Sequence, residues 1–255
     1  MTQRERRLWF IEALLKERGD KSVAPSGENE QKRLLRALFN VRPPMPASEE
    51  FLEVQDAYLQ EAIREKGVTD EKDIPFLRGR LSLWQGDIVT LACDAVVNAA
   101  NSAMLGCFRP NHACIDNAIH TFAGVQLRLA CARIMKAQGH EEKPGGAKIT
   151  PAFNLPSRFV IHTVGPLVRG AVTSGDADTL ASCYASCLDL AAENGAESVA
   201  FCCISTGVFC FPPQQAAETA VAAVTARLAE HTTIKKVIFN VFKDSDAQIY
   251  RSLLR

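Results

Sequence analysis

The chain has no charge to spare in either direction: 29 basic residues are matched by 29 acidic ones over 255 positions. A balanced surface generates no global field for a polyanion, so neither nucleic acid nor an anionic membrane is expected as a partner. Long apolar runs are missing as well. Nothing approaches the ~20 residues that a membrane-crossing helix needs. The opening stretch, MTQRERRLWFIEALLKERGD, alternates charged with apolar residues at helical spacing. It lacks the uninterrupted apolar segment and small-residue cleavage site of a secretory leader. Internal repeats and low-complexity segments are also absent. What the chain does carry is nine cysteines, an odd count that argues against a simple disulfide framework. Cys202 and Cys203 sit side by side within an apolar run, as buried thiols do. The expectation is a reducing, cytoplasmic compartment.

The first eighty or so residues read as helices. Leu8, Ile11 and Leu15 share a helical face, and Leu34, Leu35, Leu38 and Phe39 continue the theme after a polar break. The prolines of VRPPMPAS stop any helix there, and Phe51, Val54 and Tyr58 mark a third helix that Gly67 caps. From Leu81 onward, short β-branched runs alternate with longer helical segments. Leu81 to Trp84 and residues 95–100, 159–165, 198–205 and 235–242 read as strands. The last four are apolar almost throughout, as strands covered on both faces must be. Helices are expected over 114–136, 176–194 and Pro213–Glu230. This alternation predicts an α/β sandwich with a largely parallel sheet. Ligands of such sheets gather at the carboxyl ends of the strands.

Two loops in that position are loaded with chemistry. Ser205-Thr206-Gly207-Val208-Phe209-Cys210-Phe211-Pro212-Pro213 runs from a strand into a proline-initiated helix. Small residues before a helix N-terminus can hold an anion on backbone N–H groups without a basic side chain. It is not a nucleotide-binding P-loop, because no Gly-Lys-Ser/Thr follows. Gly145-Gly146 reads as a turn, and His162, inside an apolar strand, reads as a hydrogen-bonded core histidine. Gly86-Asp87-Ile88 follows a strand; Asp87 is either a turn cap or an acceptor for the exocyclic amine of a base.

The other loaded loop reads GCFRPNHACIDN, residues 106–117. Cys107, His112 and Cys114 supply two thiolates and one imidazole, the ligand types that zinc prefers. Three protein ligands with a fourth position open is the arrangement of a catalytic zinc. Two other readings stand beside it: a cysteine nucleophile with His112 as base, or ordinary buried thiols.

Val96-Val97-Asn98-Ala99-Ala100-Asn101, together with GDI (86–88), HTVGP (162–166) and ISTGVF (204–209), closely resembles the macrodomain family. The resemblance runs from about Leu81 to the C-terminus. It implies a three-layer α/β/α macrodomain with a mixed, largely parallel central sheet over residues 79–255, preceded by a helical extension over residues 1–78. Where most macrodomains continue from the Asn-Ala-Ala-Asn motif into a run of glycines, this chain has GCFRPNHAC and rejoins at IDNAIH. That departure resembles the zinc-containing microbial subclass, which look like hydrolases of mono-ADP-ribosylated proteins. Carried over, the resemblance implies Zn2+ on Cys107, His112 and Cys114, with ADP-ribose and a mono-ADP-ribosylated protein as partners. Asp87, with Ile88 beside it, would accept from the adenine amine, and Phe242 would stack near adenine. Ser205, Thr206, Gly207 and Val208 would cradle the pyrophosphate, and Phe209 would pack by the distal ribose. Ile115, Asp116 and Asn117 would line the same ribose from the other side. Asn101 would hydrogen-bond that ribose, and Asn101 and Asp116 are the expected catalytic pair. The alternative is a module that reads ADP-ribose without cleaving it and uses zinc as a structural clip, with Cys210 as a possible fourth ligand.

Overall fold

The computed structural model describes residues 1–230 and 233–255. Three helices open the chain: α1 (Gln3–Glu17), α2 (Glu28–Val41) and α3 (Glu49–Lys66). Each starts where the sequence provides a stop or a cap. Thr2 and Glu5 form a reciprocal capping box on α1, and Ser48 caps α3 after the prolines have broken α2. Gly67 ends α3 at φ +88°, as its position predicts. The three helices close on their own aromatic core, where Phe10 meets Phe39, Phe51 and Tyr58 in edge-on contacts.

Strands follow as β1 (Thr69–Asp70), β2 (Phe76–Arg78), β3 (Leu81–Gln85), β4 (Leu91–Ala92) and β5 (Ala95–Ala99). Helices α4 (Ile115–Ala123) and α5 (Val125–Gln138) lead to β6 (Ala147–Pro151) and β7 (Phe159–Thr163). The remainder is α6 (Ser174–Glu193), β8 (Ser198–Phe201), α7 (Pro213–Glu230), β9 (Lys236–Val241) and α8 (Asp244–Leu253). Seven strands form one sheet in the order β2-β3-β9-β8-β5-β7-β6. Its five inner strands are parallel, and each edge is closed by an antiparallel partner. The inner strands β5, β8 and β9 are buried almost throughout, which explains their largely apolar sequence. The chain therefore has the three-layer α/β/α architecture, with a mixed, largely parallel sheet, that the motifs imply.

One expected element is divided. The helix anticipated over 114–136 breaks at Gly124, which has φ +95° and ψ 176°, a conformation that only glycine adopts without strain. A Cβ there would meet Gln55 Nε2 at 2.6 Å. The Oε1 of the same Gln55 accepts from Val125 N at 2.8 Å, so α3 supplies the cap that α5 lacks locally. Edge strands β2 and β6 and the terminal helix α8 were not expected from the sequence. All are short or polar, and α8 draws its register from packing on β9 and α7.

Candidate active site

Parallel order places the chemistry in a row. The carboxyl ends of β3, β9, β8 and β5 carry, in turn, Asp87, Phe242, the 205–209 loop and Asn101. Three inter-strand steps separate the first from the last, roughly 14 Å at the usual spacing of about 4.8 Å. That row suits an elongated ligand.

At the first end, Asp87 caps a short 3-10 turn by accepting from Val89 N at 3.3 Å. Its other oxygen pairs with Lys66 Nζ at 2.6 Å, reaching over from α3. Ile88 is buried beneath it. Phe242 follows β9 directly beside Gly86, whose N–H donates to Val241 O at 3.0 Å. Its ring is 78% exposed and free to meet a ligand.

In the middle, the 205–209 loop has the conformation of an anion cradle. Ser205 sits at φ +64° and Cys210 at φ +57°. Phe211 N closes the loop onto Ser205 O at 3.0 Å, and Cys210 N onto Gly207 O at 3.1 Å. Among the described residues, the N–H groups of Gly207, Val208 and Phe209 donate to no protein acceptor, and Gly207 and Val208 are exposed. Free donors running into the start of α7 attract negative charge. Thr206 is half-buried, and Phe209 packs beneath the loop on Ala100, Met104 and Val164.

The far end holds the cysteine-histidine loop. It leaves β5 through Asn101 and returns as the N-terminus of α4, where Cys114 is the N-cap. Cys107 Sγ lies 3.5 Å from His112 Nδ1. One ligand atom from each of Cys107, His112 and Cys114 falls within 4.8 Å of the others, and all three residues are half-buried. Two soft sulfurs and an imidazole converging at a half-exposed point fit a zinc ion. Cys210 is not in that group; its thiol donates to Val208 O on its own loop. Burial pushes the Cys114 thiol up to about 11, the opposite of what an activated nucleophile needs.

Immediately behind the loop, Asp116 is almost fully buried. Its Oδ1 accepts from Asn98 Nδ2 at 2.8 Å, and its Oδ2 from Asn101 Nδ2 at 3.4 Å. Burial raises its carboxyl to about 6, with the Asn98 hydrogen bond opposing. Asn101 also donates to Gly106 O at 3.2 Å, which ties strand end, loop and helix together. Ile115 is half-buried at the first turn of α4. Asn117, expected on the ribose, is turned inward: it is wholly buried and its amide is spent on Arg109 O, Cys107 O and Arg36.

Sequence reasoning missed several participants. Asn98 also lies 3.1 Å from His162 Nδ1, and with that nitrogen as acceptor the His162 proton sits on Nε2, facing Thr150 Oγ1 at 3.0 Å. His162 is thus the hydrogen-bonded core histidine expected. A polar residue inside the apolar run AVVNAA was the one available signal for Asn98. His120 is fully buried with both ring nitrogens unpartnered, 3.6 Å from Asp116 and packed so tightly under Gly106 that a Cβ there would come within 2.7 Å of its ring. Arg36, Asn40 and Lys66 arrive from the N-terminal helices and left no local signature. His120, Cys131 and His162 also lie within ligand distance of one another. Both His162 nitrogens face protein partners, however, and all three residues are buried. That trio is core.

A macro domain family model matches residues 97–220. A relative from Treponema medium named protein-ADP-ribose hydrolase is 57% identical over 260 residues, spanning 100% of both chains. One of the same name from Staphylococcus aureus (strain MSSA476) is 51% identical over 247 residues, 95% of this chain and 92% of its own. A Trypanosoma brucei macrodomain solved in complex with ADP-ribose superposes with a TM-score of 0.67 at 27% identity, covering 86% of this chain and 95% of that one. An Oceanobacillus iheyensis macrodomain gives 0.63 at 35% identity, covering 68% and 89%. By motif, fold and sequence identity along its whole length, this chain belongs to the macrodomain family.

Proposed function

We propose that the protein is a zinc-dependent hydrolase that removes single ADP-ribosyl groups from acidic side chains of modified proteins and releases ADP-ribose. The observation that carries this reading is the convergence of Cys107, His112 and Cys114 immediately beside the Asn101–Asp116 pair. The relatives named protein-ADP-ribose hydrolase support the activity.

In this reading Asp87 accepts from the adenine amine while Ile88 and Phe242 enclose the ring. Lys66 pairs with the Asp87 carboxylate and fixes its position. The backbone donors of Gly207, Val208 and Phe209 carry the pyrophosphate. Ser205 and Thr206 shape that loop, and the Phe209 ring fixes its floor. Asn101 donates to a hydroxyl of the distal ribose, and Asp116, steadied by Asn98, accepts from the ribose or from the attacking water. Ile115 forms the apolar side of that subsite. Cys107, His112 and Cys114 hold the ion; when bound, it supplies Lewis acidity tempered by two thiolates. Water adds at the anomeric carbon as its bond to the carboxylate oxygen of the modified side chain breaks. Positioning by Asn101 and Asp116 therefore carries much of the rate.

The test is release of free ADP-ribose from a mono-ADP-ribosylated protein by as-purified, zinc-stripped and zinc-restored samples. Release that falls on stripping and returns with zinc is the expected result. Cys114→Ala is expected to lower turnover by about 100-fold or more while keeping most of the affinity for ADP-ribose. Tight ADP-ribose binding with no release from any sample would instead make the protein a reader.

A further inference from the structure

The stretch from Cys107 to Cys114 has no secondary structure to stiffen it, yet its three ligand atoms must stay within a few ångströms of one another. What holds it comes from outside the sheet. On α2, Arg36 directs Nε and Nη2 to Asn117 Oδ1 at 3.1 and 2.8 Å, and Nη2 to His112 O at 3.2 Å. With its oxygen fixed by the guanidinium, the Asn117 amide can only turn Nδ2 inward. There it donates to Arg109 O at 3.0 Å and reaches Cys107 O at 3.5 Å. One turn further along α2, the buried Asn40 accepts from Asn111 N at 2.9 Å. Asn111 stands at φ +54°, a left-handed turn position that asparagine tolerates, directly before the ligand His112. Asn40 Nδ2 donates to Thr121 Oγ1 on α4 at 3.0 Å, so the same side chain ties loop to helix.

We propose that Arg36 and Asn40 are positioning residues for the metal-bearing loop, so that the helical N-terminal region completes the active site. The inference rests on the zinc reading given above. Two of the three ligands are held in this way: Cys107 through Asn117, and His112 through its own carbonyl and the turn before it. Neither residue touches the cleft row from Asp87 to Asn101, so the effect of losing them falls on the metal end alone. Partners of this kind around a metal site characteristically change its affinity by about 10–100-fold.

Cobalt titration of the metal-free full-length protein, read by the visible absorption of the bound ion, tests this directly, with zinc affinity measured by chelator competition. Wild type is expected to bind both ions. Arg36→Ala is expected to weaken zinc by about 10-fold or more and to broaden or shift the cobalt bands. ADP-ribose affinity of the metal-free protein is expected to change less than about twofold. In turnover, kcat is expected to fall while KM for the modified protein stays near wild type. Arg36→Lys keeps the charge but not the fork, and recovers the cobalt spectrum only in part; it also serves if Arg36→Ala does not fold. Wild type that takes up neither ion would defeat the zinc reading and this inference with it. Wild type that binds metal while both Arg36 variants match it in affinity and spectrum would overturn the inference alone.

Discussion

Among single residues, the buried histidines show how far polar groups have been drawn into this core. His162 is 0% exposed, and burial lowers its pKa to about 4 from an ordinary value near 6.5. The native state therefore favours the neutral ring, which Asn98 and Thr150 serve from either side. As pH falls below about 6.5, the unfolded chain takes up a proton that the folded chain refuses, and stability falls until the folded pKa is reached near 4. At pH 4.5 this one group should cost about 2.5 kcal/mol relative to pH 8. His120, also held neutral by burial, adds in the same direction. Urea unfolding at both pH values should show a smaller acid loss in His162→Gln than in wild type, with the difference isolating His162. Equal losses would mean that His162 is not the group that titrates. His162 itself was legible as a core residue because it interrupts an apolar run. Its partner Asn98 and the neighbour Asp116 lie on separate elements 18 positions apart, a relation that no local pattern records.

Elements follow the same division between what a local pattern states and what packing decides. The inner strands were visible because burial on both faces leaves them largely apolar. The candidate site residues stood out because each group of them lies within one contiguous loop. The break within the expected long helix was not, since residues on both sides of Gly124 keep helical periodicity. What decides it is Gln55 on α3, 70 positions away, which caps Val125 and fills the space that a Gly124 side chain would need. Gly124→Ala should therefore destabilise the fold by about 2–4 kcal/mol, combining backbone strain with the collision. In a Gln55→Ala background the collision with Gln55 is gone, leaving the strain and the close approach of Gln126 Oε1 at 2.9 Å. A urea-unfolding cycle should then show the two substitutions costing less together than separately summed; strict additivity would defeat this account.

For the whole molecule the question is whether α1–α3 form an appended unit or part of one folding body. They have a core of their own, centred on Phe10. Seen by that core alone they would separate. The seam, however, is polar and dense. Arg36 and Asn40 grip α4 and its loop, Asp56 accepts from Asn154 at 2.7 Å, and Lys66 pairs with Asp87. Arg128, buried on α5, donates to the carbonyls of Phe39 and Arg42, closing α2 onto Leu105 of the site loop. Ile63 of α3 belongs to the central core, and Val125 of α5 packs on the helical one. Opening the seam would exchange these hydrogen bonds for bonds to water, at about 0.5–1.5 kcal/mol each. A single cooperative transition is therefore expected. The chain's two tryptophans make this measurable, because Trp9 lies on α1 and Trp84 on β3. Trp84→Phe leaves fluorescence from the helices alone, and Trp9→Phe from the sheet alone. Each variant's fluorescence should follow the same denaturant midpoint as its own far-UV circular dichroism. A Trp9 signal lost well before the bulk of the secondary structure would show an independent N-terminal unit. The site loop would then depend on a body free to leave it.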